Sequence, residues 1–147
     1  MGHARTARTA ATVLLSAWRY AWALPATAVG LALAGAALAC GASARCVDGV
    51  LEVGGGGLSS AACRLPFRQR FCAITFGHVV LGIDDAVLAE YRAHEHAHVR
   101  QYERWGVLFF VLYAASSLWE ALCGKAAYRD NHFERQARAI ARQAGSG

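Results

Sequence analysis

The densest group of chemistry-bearing side chains in this 147-residue chain is His94-Glu95-His96-Ala97-His98. On a helix, His94 and His98 are neighbours four residues apart, close enough for both imidazoles to reach one ion. Glu95 follows the first histidine, so it borders the same cleft without pointing straight at the ion. Each position of this H-E-x-x-H pattern has a chemical reason. Zinc lowers the pKa of its water towards about 7. The adjoining carboxylate takes the proton as general base and returns it to a leaving amine. The competing reading is a solvated, histidine-rich helix face.

The spacing predicts which face is inward. Val87, Tyr91, His94, His98, then Gln101 or Tyr102, and Trp105 recur at steps of three and four, one stripe of a helix. Its large apolar members predict an inward stripe, and two buried imidazoles need partners. His96 falls on the opposite side and is expected to be exposed. Glu90, four residues before His94, is a candidate hydrogen-bond partner for that ring's other nitrogen. Asp84 and Asp85 are expected to start this helix, and Gly106 to end or bend it.

A structural zinc takes four protein ligands, whereas a catalytic one keeps a position for water. A third protein ligand is therefore needed, and Glu103, Glu120, Asp130, His132 and Glu134 are the downstream candidates. Glu134 lies in YRDNHFERQAR, 36 residues after His98, a separation that a helix, a turn and a return accommodate. Asn131 is expected to start that last helix, which should run to about Arg142. The apolar residues 106–123 constrain the arrangement. As a membrane-crossing helix they would be about 27 Å long and would leave Glu134 on the far side from His98. They are expected not to cross, but to pack as a buried helix or lie in the interface with Phe109, Phe110, Tyr113 and Trp119.

The pattern H-E-x-x-H followed by a distant glutamate on a second helix resembles the gluzincin class of zinc metallopeptidases. More narrowly, HEHAHVRQYERWG and YRDNHFERQAR resemble a group of small membrane-linked bacterial proteins with the pattern H-E-x-x-H-V-R-Q-Y-E-R-W-G … Y-R-D-N-P-F-E. The likeness extends to the N-terminal apolar region and to ITFGHVVLG. It implies His94, His98 and Glu134 as zinc ligands and Glu95 as base. His132 departs from the pattern, which has proline there; it is a candidate for a competing ligand or a transition-state hydrogen bond, beside the reading that the change is neutral. In the resembled class a strand edges the cleft and pairs with an extended peptide. Residues 73–80 are the candidate for it here, which would bring His78 near the metal. Tyr128 and Arg129 are candidate oxyanion stabilisers by residue type.

The remaining elements must hold that motif in place. Residues 46–53 read as a short hairpin about Asp48-Gly49, and 71–81 as a strand or hairpin ended by Gly82. Gly54 to Gly57 form a flexible turn without a phosphate-binding signature, since no G-K-[ST] follows.

The whole chain is greasy: 56% hydrophobic, 17% charged, with a net charge of +5 in which Lys125 is the only lysine. No basic run interleaves with aromatics, so nucleic acid is not an expected partner; an anionic membrane surface is. Residues 21–40, AWALPATAVGLALAGAALAC, form an uncharged stretch about as long as a bilayer core is thick. Arg19 and the cluster Trp18, Tyr20 and Trp22 mark its leading end, and Pro25 is expected to start or kink the helix. A retained anchor is preferred to a cleaved signal peptide, although Ala42-Ser43-Ala44 resembles a cleavage site. The flanking arginines predict an extracytoplasmic domain. The five cysteines form no C-x-x-C pair. They read as small buried hydrophobes, with Cys46 and Cys63 a candidate disulfide in an oxidising compartment.

These readings combine into an α+β, mostly helical, minimal zincin-like protein. Its expected parts are a flank at 1–20, a transmembrane helix at 21–40 and a metal-binding domain at 41–145. The expected activity is zinc-dependent hydrolysis of a peptide or protein substrate at a bacterial inner membrane, in a single-pass protein whose small cleft a partner protein would complete. The alternative is a non-catalytic zinc site, structural or sensing.

Overall fold

The computed structural model describes residues 2–58 and 72–146, with side chains from residue 17 onward. Among these the chain forms α1 (Gly2–Ala39), β1 (Ser43–Val47), β2 (Val50–Gly54), β3 (Ala73–Phe76), β4 (Val79–Gly82), α2 (Asp85–Trp105), α3 (Leu108–Leu122) and α4 (His132–Ala144). It is an α+β arrangement, mostly helical, around a mixed sheet of order β1-β2-β4-β3. Helix α1 covers one face of the sheet; α2 covers the other and carries α4 on its far side.

Local signals in the sequence set most of these boundaries. Asp48 and Gly49 adopt φ of 51° and 80°, the left-handed pair that closes a two-residue antiparallel hairpin. Its register runs from Ser43 opposite Gly54 to Val47 opposite Val50. Asp84 caps α2 by accepting the Val87 N–H at 2.8 Å, and Asn131 caps α4 through Phe133 N–H. Gly106 stops α2 with φ 55°. A Cβ there would also strike the Trp22 backbone oxygen at 2.7 Å, so the chain can turn 115° into α3 only at a glycine.

Alternation along the strands divides the core. Val53, Val79 and Leu81 face Ala34 and Ala37 of α1, whereas Val50 and Val80 face Leu88 and Val99 of α2. Beyond the sheet, Ala23 and Ala26 of α1 pack with Tyr102, Phe109 and Phe133. Small residues let α1 approach closely: a Cβ on Gly30 would sit 2.7 Å from that of Val79. Residues Ala17–Ala39 are long and apolar enough to cross a membrane, with mean hydropathy 1.7; a signal sequence near an N-terminus has the same property.

Several expectations differ from this arrangement. The helix runs from Gly2 to Ala39 with Pro25 in its interior, so it does not start at Pro25. Packing shows no break at residue 40, because α1 supplies part of two cores. Gly54 closes β2 rather than opening a free turn. Cys40, Cys46 and Cys123 are exposed free thiols and Cys72 is a half-buried one, not fully buried hydrophobes; Cys63 lies outside the described residues. The inward arc of α2 is also broader than one stripe. Tyr91 and Trp105 are exposed, while Leu88, Glu95, Ala97 and Val99 are buried. The helix is covered on two sides, so burial follows the sheet and α4 rather than a single apolar line.

His96 shows the same effect. Expected in water, it lies instead against β2, 3.4 Å from buried Glu52, with only 12% of its side chain exposed. Burial pushes its pKa down against the pull of Glu52. Glu52 also receives Arg45 at 2.8 Å and Arg92 in a two-point contact at 2.8 and 3.1 Å. Burial would raise the Glu52 carboxyl, but the two guanidiniums override it and hold it below the usual carboxylate range. This cluster fixes how α2 sits on the sheet.

Candidate metal centre

His94 and His98 lie on one face of α2, and Glu134 reaches them from the first turn of α4. The ligand atoms of the three all lie within 4.8 Å of one another, so the group could hold a metal ion. His98 Nε2 is 3.2 Å from His94 Nε2 and 3.2 Å from Glu134 Oε1. His94 Nε2 is 3.4 Å from Glu134 Oε2. Glu134 arrives because Asn131, wholly buried, is tied by its amide to Tyr113 O at 3.0 Å and Ser117 Oγ at 2.7 Å of α3. Helix α3 thus folds back beside α2 and presents the start of α4 to the paired histidines.

The hydrogen bonds around the group test whether it suits a metal. Both N–H bonds of the Gln101 amide are committed, to Phe133 O at 3.1 Å and Gln136 Oε1 at 2.8 Å. Its oxygen therefore accepts from His98 Nδ1, 2.8 Å away. That places a proton on Nδ1 and, in the neutral ring, leaves the Nε2 lone pair facing the other two ligands. Glu134 Oε2 is buried with no aligned hydrogen-bond donor; His94 and Arg138 stand within ionic range only, at 3.4 and 3.5 Å. A lone pair and an orphaned carboxylate oxygen converging on one point suit a divalent cation. Burial alone would raise the Glu134 carboxyl, but His94 and His98 hold it well below the usual range. His98 is raised: Glu134 and Glu95 outweigh its burial.

Glu95 is buried, and its Oε2 accepts the Thr75 hydroxyl of β3 at 2.6 Å. This bond orients the carboxylate at the wall of a cleft of about 220 Å³ that His94, His98 and Glu134 also line. Strand β3 forms one side of the cleft through residues 73–76, and Phe109, Phe110 and Tyr113 of α3 form the other. Tyr128 joins the lining, and Tyr113 donates its hydroxyl to Glu134 Oε1 at 2.9 Å. Burial, reinforced by the Glu134 charge, pushes both phenols up, so they remain protonated donors at neutral pH.

Other expected participants lie elsewhere. Glu90 is exposed and makes no hydrogen bond to His94; the helix turns it outward along the rim. His78 occupies the β3–β4 turn, stacked on Tyr20 at 4.1 Å and 3.2 Å from Glu103 Oε1. It does not line the cleft, because the turn points it towards α1. His132 is exposed at the start of α4, where its backbone N–H donates to Ser116 Oγ at 3.0 Å. Arg129 is exposed and pairs with Asp130. Of the carboxylates weighed as third ligand, Glu103 meets His78, Glu120 meets Lys125, and Asp130 accepts Ala126 N–H.

Gln101, Thr75 and Tyr113 had no local signature as site residues. Gln101 was one choice on the inward stripe, and its amide polarity on that face was the available clue. Replacing it with alanine should weaken metal affinity about 10–100-fold, measured by competition with a chromophoric chelator; unchanged affinity would show that the His98 tautomer does not depend on it.

No family model, curated protein or solved structure matches this chain.

Proposed function

We propose that the protein is a membrane-associated, zinc-dependent peptidase of minimal zincin-like build. The observation that carries this reading is the three-ligand set of His94, His98 and Glu134 beside a buried, oriented Glu95. Three protein ligands leave a coordination position free, which favours catalysis over a structural role. Zinc held there would supply Lewis acidity towards the scissile carbonyl and lower the pKa of the attacking water.

The chain's own groups account for the rest. Glu95 accepts a proton from the attacking water and passes it to the departing amine nitrogen. Thr75 holds that carboxylate facing the cleft. The Tyr128 phenol, protonated and hydrogen-bonded to Glu134 at the cleft wall, lies where negative charge would develop on the carbonyl oxygen. Strand β3 ends the sheet among the described residues, so its outer backbone edge can pair with an extended peptide laid along the cleft.

Purified full-length protein should hydrolyse unstructured peptides, lose that activity on treatment with a strong chelator, and regain it with equimolar zinc. Activity undiminished in metal-free protein would overturn the reading.

A further inference from the structure

Helix α1 has the composition of a membrane span, yet the folded domain accompanies it along nearly its whole apolar length. Near one end, the Tyr20 ring stacks on His78, and its hydroxyl lies 2.7 Å from the position of a Cβ on Gly49. In the middle, Gly30 abuts Val79. At the other end, Cys40 O accepts Gly57 N–H at 2.9 Å. From Tyr20 to Cys40 the helix rises about 30 Å, which is the full thickness of a hydrocarbon core.

The hairpin β1–β2 runs beside that length. β1 is an edge strand among the described residues, so its outer N–H and C=O groups have no strand partner. Asp48 sits in the turn beside the Gly49 that meets Tyr20, and Arg45, with 38% of its side chain exposed, projects from the middle of β1. Setting α1 across a bilayer would put an open sheet edge and an arginine into hydrocarbon. Backbone groups left unsatisfied in hydrocarbon are strongly disfavoured, and open edges facing lipid do not occur.

Away from its packed alanines, α1 nevertheless exposes the apolar side chains of Leu24, Val29 and Leu31. Helix α3 starts against Trp22 at Gly106 and adds exposed Val111, Trp119 and Leu122. Arg19 stands beside the aromatic cluster, and the chain carries a net charge of +5. An apolar face edged by aromatics, on a cationic protein, matches an anionic lipid surface.

We propose that α1 lies in the plane of a membrane rather than across it, with the outer faces of α1 and α3 together seated at the interface and the whole domain on one side. Phe110, exposed beside Val111, also lines the cleft, so the cleft opens at the rim of the lipid-facing surface. This goes beyond the peptidase reading and does not depend on it.

The test uses full-length protein with one epitope before Met1 and another after Gly147, bound to sealed vesicles of phosphatidylcholine and phosphatidylglycerol. Added protease should remove both epitopes from intact vesicles. The variant W119E/L122E, altered at two exposed positions, should keep its circular dichroism and partition at least about tenfold less. Lipids brominated near the headgroup should quench tryptophan more than lipids brominated at the chain end. Protection of one epitope, deepest quenching at the chain end, or failure to bind the vesicles would each overturn the proposal.

Discussion

Glu95→Gln is expected to lower kcat/KM for peptide hydrolysis by about 10²–10⁴-fold, the usual contribution of a positioned general base, while zinc content and fold stay as in the parent. The glutamine amide keeps the size of the carboxylate, and its oxygen can still accept the Thr75 hydroxyl, which lies 2.6 Å from Glu95 Oε2. The ligand set contains His94, His98 and Glu134 but not Glu95, so metal retention should not depend on it. What the substitution removes is the capacity to take a proton. This separates the two readings of the site. A structural or sensing zinc predicts that the variant is indistinguishable from the parent in every assay, because nothing then requires a base at position 95. Equal hydrolysis by parent and variant, with both holding zinc, would remove Glu95 from the mechanism.

Glu134→Gln should abolish stoichiometric zinc binding, a larger loss than the roughly 10–100-fold expected for an outer hydrogen-bond partner such as Gln101. The carboxylate is the only anion of the triad, and it opposes two imidazoles at 3.2 and 3.4 Å. Glutamine preserves the volume and can accept the Tyr113 hydroxyl that now meets Oε1 at 2.9 Å, so the fold is expected to survive. Two imidazoles alone make an incomplete shell for zinc. Elemental analysis after purification without added metal reads the result directly. A full zinc complement in this variant would mean that another group completes the shell, and the assignment of α4 as the ligand helix would fall. The companion substitution His132→Pro should leave zinc content unchanged, since that side chain is exposed and outside the cleft.

The sequence by itself determined what depends on near neighbours. The spacing of His94 and His98 puts two imidazoles on one helix face through the 3.6-residue period. Asp84 and Asn131 mark helix starts because their side chains cap backbone N–H groups within three residues. Asp48-Gly49 and Gly106 mark turns because few residues tolerate a positive φ. The need for a third ligand, and the expectation that residues 106–123 turn back rather than cross, followed from ligand counting and chain length.

Only the tertiary structure decided which distant groups meet. Five candidates downstream of the motif were chemically suitable, and Glu134 is the one that reaches the histidines because buried Asn131 anchors the start of α4 to α3. Gln101 fixes the His98 tautomer only because α4 occupies both of its N–H bonds, and Thr75 meets Glu95 only because β3 lies across α2. His96 is drawn inward by Glu52, 44 residues earlier in the chain. Likewise, α1 reads as an isolated span until its alanines are seen to pack on the sheet. Periodicity reports the preference of a helix for having a buried side, but which side is covered, and by what, depends on partners contributed by remote segments.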